Sequence, residues 1–356
     1  MSPKQRIISL FQGKKVDQIP WAAYSFLLPR GEVERKLREK GCALIVGKSV
    51  YDIELSKIEV VERQIWENNE KIYLRIYRTP KGEVSEKIKI GPYKSEWKKE
   101  HLIKKPKDYE IVKFIIENTI FHKNYEDFLK TEEDLGEDGI VYAVQPYIER
   151  CPFQKLLIDF AGAERTFMDL YDNPSLVEDF LNCLEEKDEE SAEIIKDFPA
   201  KVVFWLVDNI TSDLTPPKFF SKYCLPFYKK YFPLFHENGK VCMVHLDGKL
   251  NALKNLIKNT DIDVVSSFTL PGQGGDLSLE EARKVWPNKV IVANVPAFLC
   301  FKEEKEIEEY FKNLFESKAA RKNFMIEISE DLPPKFWKKP LSILAKAIKE
   351  YGSLSL

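Results

Sequence analysis

The sequence lacks the features that mark a disulfide-stapled, zinc-ribbon or membrane protein. Its six cysteines are scattered, and no two of them form a Cys-x-x-Cys pair, so we expect reduced core residues instead of a disulfide framework or a zinc ribbon. No apolar run approaches the ~20 residues needed to cross a bilayer, and residues 1–15 lack the long apolar core of a signal peptide. We therefore expect a cytoplasmic protein with no membrane partner.

An excess of basic charge is also missing. Lysine and arginine together number 55 against 57 acidic residues, which gives a formal net charge of -2. A nucleic-acid partner would favour a basic stripe or surface, so we expect none. The chain has 356 residues, 44% of them hydrophobic, which suffices for a large core in a single domain covering residues 1–356.

What the sequence does have is a regular alternation of apolar runs and helical patterns. This alternation is typical of βα units around a parallel sheet that is buried on both faces, and eight units would close a (β/α)8 TIM barrel. A doubly wound open sheet is the structural alternative, but no G-x-G-x-x-G follows the first strand to support a dinucleotide site. The predicted strands cover residues 18–25, 41–49, 139–147, 201–209, 240–248, 261–268, 289–296 and 323–331.

The chain is longer than the barrel requires. Such a barrel typically takes ~250 residues, and most of the surplus falls between residues 55 and 135. Residues 55–95 alternate apolar and polar side chains, with turn motifs at ENNEK (67–71) and TPKGE (79–83). We predict an inserted antiparallel β-meander or hairpin near 55–95, followed by helices through 107–131.

Polar residues at the carboxyl ends of the predicted strands are candidate site residues, because active sites of such barrels form there. His245 and Asp247 come at the end of the fifth strand. Since side chains alternate along a strand, these two share a face and can converge on one ion. Glu330, at the end of the eighth strand, is a candidate third ligand. The other candidates are Tyr24, Gln145, Tyr147, Asp208 and Asn294.

One imidazole and two carboxylates would offset the charge of a divalent metal ion. Such a mixed nitrogen and oxygen set suits Zn²⁺, Fe²⁺ or Mn²⁺ without choosing among them. The same residues also fit simpler roles. His245 and Asp247 can form a hydrogen-bonded pair that fixes a loop, and Glu330 can cap the following helix. Asp208 can be an ordinary turn residue.

An ordered set of segments along nearly the whole chain carries a family resemblance. The set includes RIISLFQGKKVDQIPW (6–21), TPKGEV (79–84), the segment 151–181, GKVCMVHLDGKLNAL (239–253) and SEDLPP (329–334). Taken together, these segments resemble the uroporphyrinogen decarboxylase superfamily, which includes cobamide-dependent methyltransferases. The resemblance implies a (β/α)8 barrel, in agreement with the strand count.

The decarboxylase branch of this superfamily fits the chain poorly. Its members carry an arginine-rich loop after the first strand that grips the carboxylates of the substrate, and an aspartate after the second strand. Here Arg30 is the only close arginine, and VGKSVYD (46–52) stands where the aspartate is expected. A substrate with several carboxylates needs pre-placed guanidinium groups, so this comparison disfavours tetrapyrrole decarboxylation.

The methyltransferase branch fits better, with one change of ligand type. Its members bind zinc through His-x-Cys and a distant cysteine. His245 matches the histidine, Asp247 stands at the first cysteine and Glu330 stands near the last. Carboxylates in place of thiolates make a harder site, which suits a Lewis acid on oxygen or nitrogen more than activation of a thiol.

The resulting hypothesis is a metal-dependent methyltransferase, with Zn²⁺ the favoured metal. It would move a methyl group between a small O- or N-methyl substrate and a corrinoid carried by a partner protein. A uroporphyrinogen-decarboxylase-type lyase and a non-catalytic binder of a corrinoid or tetrapyrrole stay open as alternatives, as do a monomer and a homodimer. The expected roles are metal ligation by His245, Asp247 and Glu330, catalysis by Asp208, His245 and Asp247, and substrate contact by Tyr24, Gln145, Tyr147 and Asn294.

Overall fold

A computed structural model describes residues 1–91, 93–144 and 150–354, with the backbone alone for residues 205–207. Residue contacts group the chain into two compact units. The single domain expected from the sequence stays a prediction. The first unit consists of Met1–Lys48, Glu126–Val144 and Pro199–Leu356, and the second of Ser49–Tyr125 and Gln145–Phe198.

Strands and helices alternate along much of the chain. Among the described residues, no helix is long and apolar enough to cross a bilayer. The strands are β1 (Trp21–Tyr24), β2 (Ala43–Ser49), β3 (Tyr51–Leu55), β4 (Glu59–Glu67), β5 (Glu70–Thr79), β6 (Gly82–Ile90), β7 (Glu96–Glu100), β8 (Thr119–Lys123), β9 (Gly139–Val144), β10 (Val202–Val207), β11 (Val241–His245), β12 (Val264–Phe268), β13 (Val290–Asn294) and β14 (Phe324–Ile328). The helices are α1 (Pro3–Phe11), α2 (Glu32–Glu39), α3 (Asp108–Glu117), α4 (Glu126–Leu135), α5 (Pro152–Gln154), α6 (Gly162–Asp172), α7 (Pro174–Lys196), α8 (Pro217–Phe219), α9 (Leu225–Glu237), α10 (Lys254–Lys258), α11 (Leu279–Val285), α12 (Glu304–Glu316) and α13 (Lys338–Tyr351).

The first unit contains a closed barrel of parallel strands, in the order β1, β14, β13, β12, β11, β10, β9 and β2. All residues of β12, β13 and β14 are buried. This burial on both faces is why the sequence shows continuous apolar runs in place of a polar alternation. The predicted (β/α)8 barrel is therefore confirmed, with every predicted barrel strand present.

Several barrel strands end earlier than the sequence predicts, namely β1, β10, β11, β13 and β14. The predicted strand 240–248 corresponds to β11, which stops at His245. The chain then turns to pack on a neighbouring loop, and a Cβ on Gly248 would lie only 2.3 Å from the carbonyl oxygen of Ile210. Asp247 is therefore a loop residue. The prediction that it shares a strand face with His245 is wrong, because strand alternation does not apply beyond the end of β11.

The second unit contains the predicted antiparallel insertion. Strands β4, β5, β6 and β7 form one sheet, so the predicted meander is confirmed and extends to Glu100. Asn68 and Asn69 join β4 to β5 with φ values of 50° and 62°, as a tight two-residue hairpin turn requires. The prediction of helices through 107–131 is wrong at β8, which pairs with β3. The alternating pattern of β8 fits a strand.

Candidate functional site

Two neighbouring residues of the sequence and a third from a distant segment meet at the carboxyl end of the barrel. His245, the last residue of β11, is buried. Its Nε2 lies 3.2 Å from Oε1 of Glu330 and 3.7 Å from Oδ2 of Asp247. Glu330 follows β14, which is separated from β11 by two strands. One possible ligand atom from each residue lies within 4.8 Å of the other two, and we call these three residues the His245 group.

The two carboxylates determine the charge of the imidazole. Burial alone would lower the pKa of His245, but the contacts with Asp247 and Glu330 outweigh burial and raise this pKa to about 9. The imidazole therefore carries a proton at neutral pH when no metal is bound. A divalent cation at this position would compete with that proton for the same ligand atoms.

The His245 group has the chemistry of a divalent metal site. Nδ1 of His245 is buried and has no hydrogen-bond partner among the described residues, and the buried Oε1 of Glu330 faces Nε2 of the same imidazole. The side chain of Glu330 is 40% exposed, so a small molecule can approach the group from solvent. A neutral imidazole and two carboxylates balance a charge of about +2 and leave coordination positions open for a ligand. Metal ligation by these residues stays a prediction.

Sequence reasoning missed a further acidic residue inside the barrel. Glu327, in β14, is fully buried. Its Oε1 accepts hydrogen bonds from Oγ of Ser266 at 2.6 Å and from the backbone N–H of Ser267 at 3.1 Å. Because β12 and β14 are not neighbours in the barrel, their side chains meet across its interior. Glu327 therefore faces the interior of the barrel.

The environment of Glu327 makes it easy to protonate. Burial raises the pKa of Glu327 to about 7, although the hydrogen bonds from Ser266 and Ser267 and the charge of His245 lower it. The residue could have been found from FMIEI (324–328), because an acid inside an apolar strand is rarely buried without a specific reason. Acids with such shifted pKa values cluster at functional sites.

The backbone of β12 is distorted where it meets Glu327. The pairing of β12 with β13 shifts register between Val265 and Phe268. Within this shift Ser267 has a φ of 55°, in the left-handed region that residues other than glycine rarely adopt. Strain of this kind costs about 1–3 kcal/mol and is concentrated at functional sites. Here it accompanies the hydrogen bond from the Ser267 N–H to Glu327.

Two of the predicted substrate-binding residues belong to the same interior network. The hydroxyl of Tyr24 lies 3.3 Å from Oγ of Ser266. Asn294 accepts a hydrogen bond through Oδ1 from Oγ of Ser329 at 3.3 Å, and Ser329 contacts Oγ of Ser267 at 2.6 Å. Tyr24 and Asn294 are thus linked to the serines that hold Glu327. Their contact with a substrate stays a prediction.

The remaining sequence candidates lie elsewhere or outside the described residues. Asp208 follows β10, is fully buried and accepts a hydrogen bond from the hydroxyl of Tyr228 on α9. This bond ties the strand end to the helix, and Asp208 is not a member of the His245 group. Its catalytic role stays a prediction. Gln145 and Tyr147 lie outside the described residues.

A second set of possible ligand atoms lies at the opposite end of the barrel. His236, Cys242 and Asp263 meet near the amino-terminal ends of β11 and β12. Oδ2 of Asp263 is already engaged by Nε2 of His236 at 2.8 Å and by the backbone N–H of Cys242 at 2.7 Å. Burial raises the pKa of the Cys242 thiol well above its usual range. A protonated thiol is a poor ligand, and this end of a barrel serves stability.

Comparison with known proteins places this barrel in a family. A barrel with ionisable side chains gathered at the carboxyl ends of its strands is an architecture typical of enzymes. The family model for uroporphyrinogen decarboxylase (URO-D) matches residues 156–351, more than half of the chain, and the chain belongs to this family. The resemblance inferred from the sequence is thereby confirmed.

A solved structure supports the fold over the full length. The structure of a methyltransferase from Methanosarcina mazei is similar with a TM-score of 0.59, and the match covers 99% of both chains at 13% sequence identity. Identity this low demonstrates the shared fold and not a shared activity. No curated protein sequence matches the chain significantly.

Replacing Glu327 by glutamine should change how stability depends on pH. The pKa of Glu327 is raised from 4.5 to about 7 in the folded protein. The stability that comes from binding this proton is therefore fully present below the unfolded pKa and is lost as the pH rises through 7. From about pH 5 to about pH 8 we expect the wild type to lose about 2–3 kcal/mol relative to Glu327→Gln, at about 1.4 kcal/mol per pKa unit. Urea unfolding of both proteins measures this difference, and parallel pH profiles would contradict it.

Proposed function

We propose that this protein is a metal-dependent methyltransferase that moves a methyl group between a small O- or N-methyl compound and a corrinoid carried by a partner protein. The observation that carries the proposal is the convergence of His245, Asp247 and Glu330 at the end of the barrel where enzymes of this fold carry out their chemistry. Membership of the URO-D family supports an enzyme. The solved structure with the same fold is a methyltransferase, and the nitrogen and oxygen ligands of the His245 group suit a Lewis acid for this reaction.

His245, Asp247 and Glu330 would hold the divalent ion, with Zn²⁺ favoured. When bound, such an ion withdraws electron density from the heteroatom that bears the methyl group, which makes that atom a better leaving group. Imidazole and carboxylate are harder ligands than thiolates. The site therefore suits a methyl group on oxygen or nitrogen more than a thiol acceptor. His245 must give up its proton before Nε2 can bind the ion.

Residues of the barrel interior would orient the small molecule. Tyr24, Asn294 and Glu327 offer a hydroxyl, an amide and a carboxyl group, and all three are buried. Their links through Ser266 and the neighbouring serines hold these groups in place before a ligand arrives. Such pre-arranged polar groups reduce the cost of orienting a reactant. Gln145 and Tyr147 stay predicted substrate contacts from the sequence.

Decarboxylation of a tetrapyrrole is the second candidate, because the URO-D family is named for it. The charges of the site weigh against this reaction. In the metal-free site Asp247 and Glu330 would repel a substrate that carries several carboxylates, because like charges repel, and Glu327 offers such a substrate no positive charge. Arg30, the nearest arginine in the sequence after β1, is paired with Glu34 at 2.8 Å. The acidic site therefore favours methyl transfer.

The metal assignment predicts a specific loss on mutation. The protein purified from zinc-containing medium should hold about one Zn²⁺ per chain, and His245→Ala should bind zinc at least ~100-fold more weakly because it loses the imidazole ligand. Mass spectrometry of the metals gives the occupancy. The matched control is His122→Ala, since His122 is an exposed histidine paired with Glu54 at 2.8 Å. Full zinc occupancy in His245→Ala would refute the ligand assignment.

Zinc binding should also depend steeply on pH. The pKa of His245 is about 9 without metal, so below this pH each bound ion displaces one proton from the imidazole. We expect the zinc dissociation constant to fall about tenfold per pH unit up to ~pH 9 and to level off above it. Competition with a chromophoric chelator measures the constant. An affinity that does not change between about pH 6.5 and 8.5 would exclude His245 as a ligand.

The two reactions can be separated by direct assay. Zinc-loaded protein is incubated with reduced cobalamin and, in turn, methanol, methylamines and small methyl ethers, and methylcobalamin is followed by its absorbance. A parallel incubation with uroporphyrinogen measures released CO₂. We expect methylcobalamin with at least one methyl donor and no CO₂. Release of CO₂ would replace the proposal by the lyase, and cobalamin binding without either reaction would indicate a binding protein.

A further inference from the structure

Two phenylalanines are exposed side by side beyond the ends of neighbouring barrel strands. Phe301 ends the short 3₁₀ helix Ala297–Phe301 that follows β13, and Phe336 lies in the loop between β14 and α13. Their exposed fractions are 66% and 50%, and their ring centroids are 5.4 Å apart. A single exposed apolar residue is ordinary, but adjacent exposed aromatic rings point to an interaction surface.

This pair lies at the same end of the barrel as the His245 group. Strands β13 and β14 are parallel neighbours, so the loops that follow them emerge at one end. Phe336 lies in the loop that also contains Glu330. A third exposed phenylalanine, Phe26, follows β1 and is 62% exposed, with its ring 5.9 Å from the ring of Tyr24. Phe301 and Phe336 are in ring contact, whereas Phe26 is a separate exposed ring that follows another strand of the barrel.

Lysines that are close in sequence to Phe336 lie at a helix start, where positive charge is destabilising. Lys335 and Lys338 are exposed. Helix α13 begins with Lys338 and Lys339, has no acidic residue in its first turn and has no side-chain cap. The positive end of the helix dipole disfavours lysine there. A local rule that is broken in this way is expected where the residue serves a function.

We propose that Phe301, Phe336, Lys335 and Lys338, here called the rim patch, form a docking surface for an acidic face of the protein that carries the corrinoid. The identity of this partner rests on the proposed function. A cofactor carried by a protein must be brought to the open end of the barrel, and the rim patch lies at that end. The lysines would pair with the partner's acids and speed association. The two rings would supply the apolar anchor that is typical of interface centres.

The charge and size of the rim patch favour a protein over a membrane. Membrane-surface elements usually present the apolar face of a whole amphipathic helix, whereas the rim patch comes from two short loops and the first residue of α13. Lys339 is already engaged, since its Nζ donates to the carbonyl oxygen of Lys302 at 2.5 Å. Two lysines and two aromatic rings are complementary in charge and polarity to a small protein surface that carries acidic and apolar side chains.

The first test removes the two rings. The full chain is titrated against each purified, cobalamin-loaded corrinoid protein of the source organism by surface plasmon resonance. We expect at least one to bind, and the double variant Phe301→Ala/Phe336→Ala to bind it at least ~30-fold more weakly. Methyl transfer from the small donor to the reduced, protein-borne corrinoid should show a raised KM, while transfer to free reduced cobalamin stays unchanged because the free cofactor needs no docking. The matched control is Trp66→Ala/Trp97→Ala, another pair of exposed aromatic residues.

The second test reverses the charge of the lysines. Lys335→Glu/Lys338→Glu should associate about tenfold more slowly and depend less on salt. Its melting temperature should stay close to that of the wild type, since glutamate suits a helix start while the attraction between Lys338 and Glu32 is lost, and this measurement separates lost binding from unfolding. Lys318→Glu/Lys322→Glu makes the same charge change at exposed residues before β14, at the other end of the barrel, and should bind as the wild type does.

Each outcome decides the proposal. Wild-type affinity in both rim variants, or no binding of any corrinoid protein to the wild type, overturns it. Rim-dependent binding to vesicles that contain phosphatidylserine, without binding to a corrinoid protein, would make the rim patch a membrane site and the proposal wrong. Rim-dependent binding to a corrinoid protein without methyl transfer to either form of the cofactor would support docking and reject the proposed function.

Discussion

The imidazole of His245, held between two carboxylates, is the interaction on which the rest of the site depends. Asp247 and Glu330 approach its Nε2 from different loops. A buried imidazole beside two acids requires a positive charge, because unpaired buried charge is costly. When the imidazole is protonated, the three residues together carry a net charge of about -1. When a divalent ion binds to the neutral imidazole and the two carboxylates, their total charge with the ion is about zero. The proposed divalent ion would therefore neutralise the charge of these three residues more fully than a proton does.

Closure of the barrel is what makes this arrangement possible. His245 ends β11 and Glu330 follows β14, two strands that are not neighbours, and Ser266 on β12 and Glu327 on β14 are likewise from strands that are not neighbours. In an open sheet these side chains would be separated by the width of the intervening strands, while in a closed barrel they meet across its interior. The shifted register of β12 and the positive φ of Ser267 add a backbone N–H to the network. The fold thus supplies the site and also the strained backbone that supports it.

Sequence reasoning recovered the eight barrel strands and the three residues of the His245 group, because both follow from local patterns and from where barrel enzymes place polar residues. It did not recover Glu327, because alternation along a strand indicates a face but not which residues meet across a barrel. It placed Asp247 on a strand because the apolar run before it gives no sign that the chain leaves β11 at His245. It also missed β8, whose five residues are paired by the distant β3 and not by a neighbour in the chain.

X-ray absorption at the zinc edge of the zinc-loaded protein can identify the atoms that bind the ion. Ligation by His245, Asp247 and Glu330 predicts a coordination shell of nitrogen and oxygen atoms at about 2.0–2.2 Å, with a histidine component and no sulfur. None of the cysteines belongs to the His245 group. A sulfur atom at about 2.3 Å, or a shell without histidine, would contradict the assignment of the metal to His245, Asp247 and Glu330.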